Sequence, residues 1–228
     1  MEMFKYKYSN ERLVLMSDNI ITVYHGSDKI IEKPEYGKGH IYNDYGRGFY
    51  LTLKKELAGE WAVLRTGFNG YINEYELNLT GLNVLDTNDV TLENLMAILI
   101  KNRDIDFAEV FVDNRNLFIE KYDIDIDGYD IIQGIRANDR FYSYMRGFIT
   151  GLITKEAVER LINLGDWGVQ VCLKSEKAFD NIKLVGYAEA MSDIYYKDAL
   201  NRNQVAGDLY RQVDSKVLRN GHFITDLI

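Results

Sequence analysis

At 228 residues, 46% hydrophobic and 27% charged, the chain has the composition of one large domain, or one domain with extensions, and enough apolar residues to fill a core. A net charge of −8 and a pI of about 5.0 disfavour broad binding to phosphate backbones. The single cysteine, Cys172, excludes a disulfide framework and reads as a small core residue in the apolar run V-Q-V-C-L; with no signal-peptide pattern and no apolar run near the ~20 residues of a membrane span, a reducing cytoplasm is expected.

In chain order, residues 1–20 are polar and charged and read as an N-terminal arm. Residues 21–228 form the domain, with a C-terminal helical extension from about residue 191. Ile21–Tyr24 predicts a strand, Lys33–His40 a loop, and Phe49–Thr52 a second strand. Thr52 is placed to cap a helix from Leu53 to about Arg65, with Leu57, Ala58, Trp61 and Ala62 on one stripe. Tyr71–Leu79 alternates as a strand. Thr91–Tyr122 is helical in period: Leu92, Leu95, Met96 and Leu99 share one face, and Phe107, Val110, Phe111, Leu117 and Phe118 suggest one or two more helices. Tyr129–Ile135 predicts a strand, Asp139–Phe148 a helix, and Thr154–Leu164 a helix capped by Thr154. Val169–Leu173 and Ile182–Ala188 predict strands, and Ser192 to about Val213 a polar helix. Strands and helices interrupt one another irregularly, which favours an α+β class over regular βαβ winding.

The chemistry concentrates in three pieces: I-T-V-Y-H-G-S at Ile21–Ser27, D-Y-G-R-G-F-Y-L-T at Asp44–Thr52, and E-L-A-G-E-W-A at Glu56–Ala62. A histidine at a strand end has a ring nitrogen for a ribose hydroxyl, or it is a hydrogen-bonded core histidine. Gly26, lacking a side chain, lets a ligand approach the main chain, where one extended residue offers the paired N–H and C=O that a carboxamide needs. Tyr50 can stack on a flat heterocycle or pack in the core. Arg47, between two glycines, reaches a phosphate or is solvated. Asn138 and Asp139, at the end of an apolar strand, fit a pocket rim or acceptor contact, and fit a turn or helix cap equally. His40 and His222 have no such context and read as loop or surface residues. D-I-D-I-D-G at Asp123–Gly128 matches the first six positions of a calcium loop, but the twelfth is Gly134 rather than glutamate, so no metal is expected.

The ordered set of Y-H-G-S, G-R-G-F-Y-L-T and an alanine- and tryptophan-bearing helix resembles the histidine–tyrosine class of ADP-ribosyltransferases, which includes diphtheria-type toxins and poly-ADP-ribose polymerases. It is more closely similar to an uncharacterised bacterial family of that superfamily, a domain of unknown function. That likeness continues through Y-D-I-I-Q-G-I-R-A-N-D-R at Tyr129–Arg140, I-T-K-E-A, Q-V-C-L-K-S-E-K-A-F at Gln170–Phe179 and the final F-I-T-D-L-I. The resemblance implies an ADP-ribosyltransferase-like split β-sandwich with peripheral helices, holding NAD as co-substrate in a cleft between two small sheets. It implies that His25 bonds the nicotinamide-side ribose, that the Gly26 main chain holds the carboxamide with support from Ser27, and that Tyr50 stacks on the ring. The third catalytic position, a glutamate in most of the class, matches Gln170, which bonds a hydroxyl but cannot act as a base. Glu74 and Glu76 follow the tyrosine strand too soon to replace it. The implied activity is mono-ADP-ribosyl transfer to a protein or nucleic-acid acceptor, with NAD hydrolysis or a non-catalytic NAD or ADP-ribose module as alternatives. The implied role is a toxin or defence effector with a small antitoxin partner and no membrane.

Overall fold

Apolar alternation builds the central strands. In β1 (Ile20–Ser27), Ile21 and Val23 are buried, and in β3 (Gly70–Asn78), Tyr75 and Leu77 are buried on the same period. The computed structural model describes residues 19–64, 66–137, 139–162 and 168–228, so nearly all of the expected arm and the end of the helix expected to reach Leu164 lie outside the described residues. The remaining strands are β2 (Phe49–Thr52), β4 (Val84–Asp86), β5 (Ile131–Ile135), β6 (Val169–Leu173) and β7 (Ile182–Ala190). They form a seven-stranded sheet in the order β4-β5-β6-β2-β1-β3-β7, antiparallel except for the β4–β5 pair. The protein is therefore a mixed α+β structure on one open sheet, where the sequence reading expects two small sheets.

The join at the middle of that sheet is narrow. β1 and β2 pair only at Tyr24 opposite Thr52, whereas β1 stays paired with β3 from Ile20 through Ser27. Beyond Tyr24 the sheet opens into a seam. Opposed residues of paired strands share a face, so Tyr50, Cys172 and Ile132 lie on one face and Leu51, Val171 and Leu173 on the other. The core divides accordingly. Cys172 and Ile132 join a cluster with helices α2 (Leu92–Asn102), α3 (Val112–Tyr122), α4 (Asp139–Ile149) and α5 (Lys155–Ile162). Val23, Leu51, Tyr75, Val171 and Leu173 join a second cluster with Ala178 and Phe179 of α6 (Glu176–Asp180).

Helix α1 (Lys55–Leu64) starts two residues later than expected. Thr52 ends β2 and its hydroxyl accepts from the N–H of Lys54, in the link, rather than from the first helical turn. The apolar residues from Phe107 to Phe111 do not extend a helix. Arg103 leaves helical geometry (φ −94°, ψ 144°) with its side chain on Asp44, and the chain stays irregular until a single 3-10 turn at Glu109–Phe111 leads into α3, with Val110 75% exposed. Strand β4 carries too few residues for a period to show. The C-terminal segment is integral to the fold. Helix α7 (Ser192–Arg211) lies on α1, with Arg202 forked onto the buried Glu60 and Tyr195 filling the space over Gly59. After α8 (Ser215–Leu218), Ile224 enters the core and Tyr122 donates to the Leu227 carbonyl.

Candidate functional site

A cleft of about 970 Å³ opens at the seam, and His25, Tyr50 and Gln170 all line it. Phe49 and Tyr50, adjacent in β2 and on opposite faces, both reach it because the sheet is parted there. The histidine bridges the parting. His25 Nδ1 lies 2.7 Å from the Tyr50 carbonyl oxygen, and the imidazole packs on Phe49 with ring centroids 4.4 Å apart. A carbonyl can only accept, so Nδ1 carries the proton. Burial lowers the pKa of His25, against the opposing pull of that bond, so the ring is neutral and Nε2 keeps a bare lone pair.

Tyr50 is held at its far end. Its hydroxyl donates to the Gly46 carbonyl at 2.7 Å and accepts from the Tyr45 N–H at 3.0 Å. Burial raises its pKa far above the ordinary range, with the neighbouring Cys172 and Asp44 adding to the rise. The phenol is thus a fixed ring surface and not a proton donor to a ligand. The glycines around it have steric causes: Gly46 turns the chain at φ +74°, and a Cβ on Gly48 would sit 2.4 Å from Cys172 Sγ.

Gln170 sits opposite Thr52 on one side and Gly134 on the other. Its amide nitrogen donates to Asp44 Oδ2 at 2.6 Å and to the Ile135 carbonyl at 3.0 Å. With both N–H groups engaged, Oε1 is its remaining polar atom, and it can only accept.

Asp44 is the residue that sequence reasoning missed. It is 5% exposed and receives four donors: Arg103 Nε at 3.1 Å and the Tyr142 hydroxyl at 2.7 Å on Oδ1, and the Ala137 N–H at 3.0 Å and Gln170 at 2.6 Å on Oδ2. It ties the loop before β2 to α4, to β6 and to the end of α2. Asn73 is a second missed support. Its amide donates to the His25 and Lys29 carbonyls and accepts from the Ile31 N–H, and Tyr75 donates to the Ile31 carbonyl at 2.6 Å. These bonds pin the segment that carries the cleft residues Lys29 and Ile31.

Other expected residues are placed differently. A Cβ on Gly26 would lie 1.8 Å from the Ala58 carbonyl oxygen, so its bareness is required by the close passage of α1. Gly26 and Ser27 are not among the cleft-lining residues, and Ser27 closes a local turn with Lys29. Arg47 is exposed and lines a separate, smaller depression with Lys174 and Asp127, because the chain turns at Gly46. Asn138 lies outside the described residues, and Asp139 is described only as the first residue of α4; their neighbours Arg136, Ala137 and Arg140 line the cleft. His40, read as a loop residue, is exposed and also lines it, while His222 pairs with Glu156. Glu74 and Glu76 are not cleft residues; Glu74 faces Lys55.

A family model described as a protein of unknown function, DUF3990, matches residues 21–184. The chain belongs to the DUF3990 family. No curated protein and no solved structure matches it at a significant level. The DUF3990 match runs from β1 into β7 and so includes His25, Asp44, Tyr50, Trp61, Arg136 and Gln170; α7, which adds Asn203 to the cleft, lies beyond it.

The electrostatics of the DUF3990 cleft run against the chain's net charge of −8. Six Lys and Arg residues line it against two carboxylates, Glu35 and Asp44, and Asp44 is already bonded four times. The cleft therefore offers a neutral imidazole acceptor, a fixed aromatic ring, an amide acceptor and a cationic wall. That set suits a ligand with hydroxyls, a flat ring and negative charge.

Proposed function

We propose that this DUF3990 protein is an NAD-dependent ADP-ribosyltransferase of the histidine–tyrosine kind, built on a variant of that superfamily's fold. The observation that carries the reading is the meeting of His25 and Tyr50 at the open seam, with the Gln170 acceptor on the same cleft. In this reading Nε2 of His25 accepts from a hydroxyl of the nicotinamide-side ribose and Oε1 of Gln170 accepts from another. The Tyr50 ring packs against the nicotinamide. The bond between the ribose anomeric carbon and the pyridinium nitrogen breaks, its electron pair leaves with neutral nicotinamide, and an acceptor's lone pair attacks the oxocarbenium-like carbon while the acceptor's proton passes to water. The site contributes position and electrostatics.

One observation favours weak catalysis. Asp44 is saturated with donors and Gln170 cannot take a proton, so neither can serve as a strong general base for the acceptor. A single slow transfer, hydrolysis by water, or NAD binding alone fits this better than polymer formation. The setting we propose, a cytoplasmic toxin or defence effector held by a small antitoxin, rests on the sequence resemblance. The test is nicotinamide release from NAD by the purified protein, with and without cell lysate. Release that needs lysate means transfer, and release without it means hydrolysis. Saturable NAD binding without release, abolished in His25→Ala, means a binding module. Tyr50→Ala should lose release while staying folded; full activity in that variant would remove Tyr50 from the site.

A further inference from the structure

Arg136, the residue after β5, has no function in the scheme above. Its guanidinium lies 4.8 Å over the Trp61 ring, and both side chains line the cleft. The two carboxylates that act on it are occupied by other arginines. Glu60 is forked by Arg202, with contacts of 3.2, 3.2 and 3.0 Å, and Asp44 is held by Arg103 at 3.1 Å. Among the described residues Arg136 has no ion pair. Burial lowers its pKa to about 10. Trp61 Nε1 is buried and, among the described residues, also lacks an acceptor. Arg140, the second residue of α4, lines the same cleft, its guanidinium packed where a Cβ on Gly207 would come within 2.7 Å. A desolvated cation without a counter-charge costs stability. Keeping one in a ligand-sized cleft, stacked so that its planar fork is pre-oriented, is how a protein prepares for phosphate oxygens.

We infer that Arg136, backed by Trp61 and flanked by Arg140, is an oxyanion subsite for the diphosphate of a nucleotide ligand. It rests on the NAD reading for the identity of that ligand, while the phosphate chemistry is shared by NAD, ADP-ribose and free pyrophosphate. Calorimetric titration of ADP-ribose, inorganic pyrophosphate and nicotinamide into the wild type, Arg136→Gln and His25→Ala tests it. Arg136→Gln should weaken ADP-ribose and pyrophosphate about 10- to 100-fold, the loss of a charge-assisted contact. It should leave nicotinamide binding unchanged and should not lower Tm, because it removes an unpaired, partly buried charge. Arg136→Lys should recover part of the affinity, and the salt dependence of ADP-ribose binding should flatten in the Gln variant. Equal ADP-ribose affinity in wild type and Arg136→Gln, no binding of either phosphate ligand to the wild type, or a sharply lowered Tm in the variant would overturn the subsite. ADP-ribose affinity that depends on Arg136, in a protein that never releases nicotinamide, would keep the subsite and defeat the transferase reading. Nicotinamide release with Arg136-independent ADP-ribose binding would do the reverse.

Discussion

Asp44→Asn is the most informative single substitution, because it keeps the shape of a buried carboxylate and changes only what it can accept. All four groups around Asp44 donate to it, two on each oxygen. An asparagine has one acceptor oxygen and one amino group, so whichever way it turns, a donor faces two donors. If the amino group replaces Oδ1, the Tyr142 hydroxyl can rotate to accept, but the Arg103 Nε–H is left facing an N–H. If it replaces Oδ2, Gln170 can accept only by a flip that turns Oε1 from its present place onto the Ile135 carbonyl oxygen, and the Ala137 N–H cannot accept at all. Breaking a buried ion pair costs about 3–5 kcal/mol, and the retained acceptor offsets part of that, so a loss of ~2–4 kcal/mol is expected. For a chain of this size that lowers Tm by roughly 5–15 °C. The assay is thermal unfolding at neutral pH beside nicotinamide release per folded molecule. Release should fall by ~10-fold or more if Gln170 turns away. In the double variant with Gln170→Leu the two effects on release should not add, since both act on one acceptor. A Tm within a degree of wild type together with unchanged release would refute the role given to Asp44.

Three other outcomes follow from the same geometry. Gln170→Glu places a carboxylate where an amide now donates to Asp44 at 2.6 Å and to a carbonyl at 3.0 Å. Its folded pKa should rise above the usual carboxylate value, so the variant's deficit in Tm should widen as pH climbs from 5 to 8, with no gain in nicotinamide release; a faster enzyme of wild-type stability would contradict this. Gly26→Ala drives a Cβ to within 1.8 Å of the Ala58 carbonyl oxygen and should cost ~3 kcal/mol or more, read as a large fall in Tm or loss of soluble protein. His25 has a folded pKa below its unfolded value, so the unfolded chain binds the extra proton first. The stability from His25 is fully present above pH ~6.5 and declines as pH falls toward the lower folded value. His25→Gln should flatten that part of the Tm–pH curve, and an unchanged slope below pH 6.5 would show that His25 is not buried and neutral.

Much of the sheet could be read from alternation, and the pairing that makes the site could not. Phe49–Thr52 and Val169–Leu173 form strands with the expected bounds, because β-branched and aromatic residues there bury one face against each core cluster. His25, Tyr50 and Gln170, which the family resemblance singled out together, all line one cleft. The parting between β1 and β2 is a long-range event with no local signature. So is Asp44: as one letter before a glycine loop it reads as a turn residue, and its four partners come from 59 to 126 residues away. Gly26 carries a constraint the sequence could not show, since the helix packed over it leaves no room for a Cβ. Arg136 directly follows the apolar run I-I-Q-G-I, and a cation just past a buried strand is a signal that invites the question of what balances it.

The most direct measurement is a crystal structure of the protein with bound NAD. The nicotinamide ring should lie against the Tyr50 phenol, a hydroxyl of its ribose within hydrogen-bond reach of His25 Nε2, and the diphosphate beside Arg136. A dinucleotide lodged away from the seam, or no occupancy of this cleft at saturating NAD, would contradict the account.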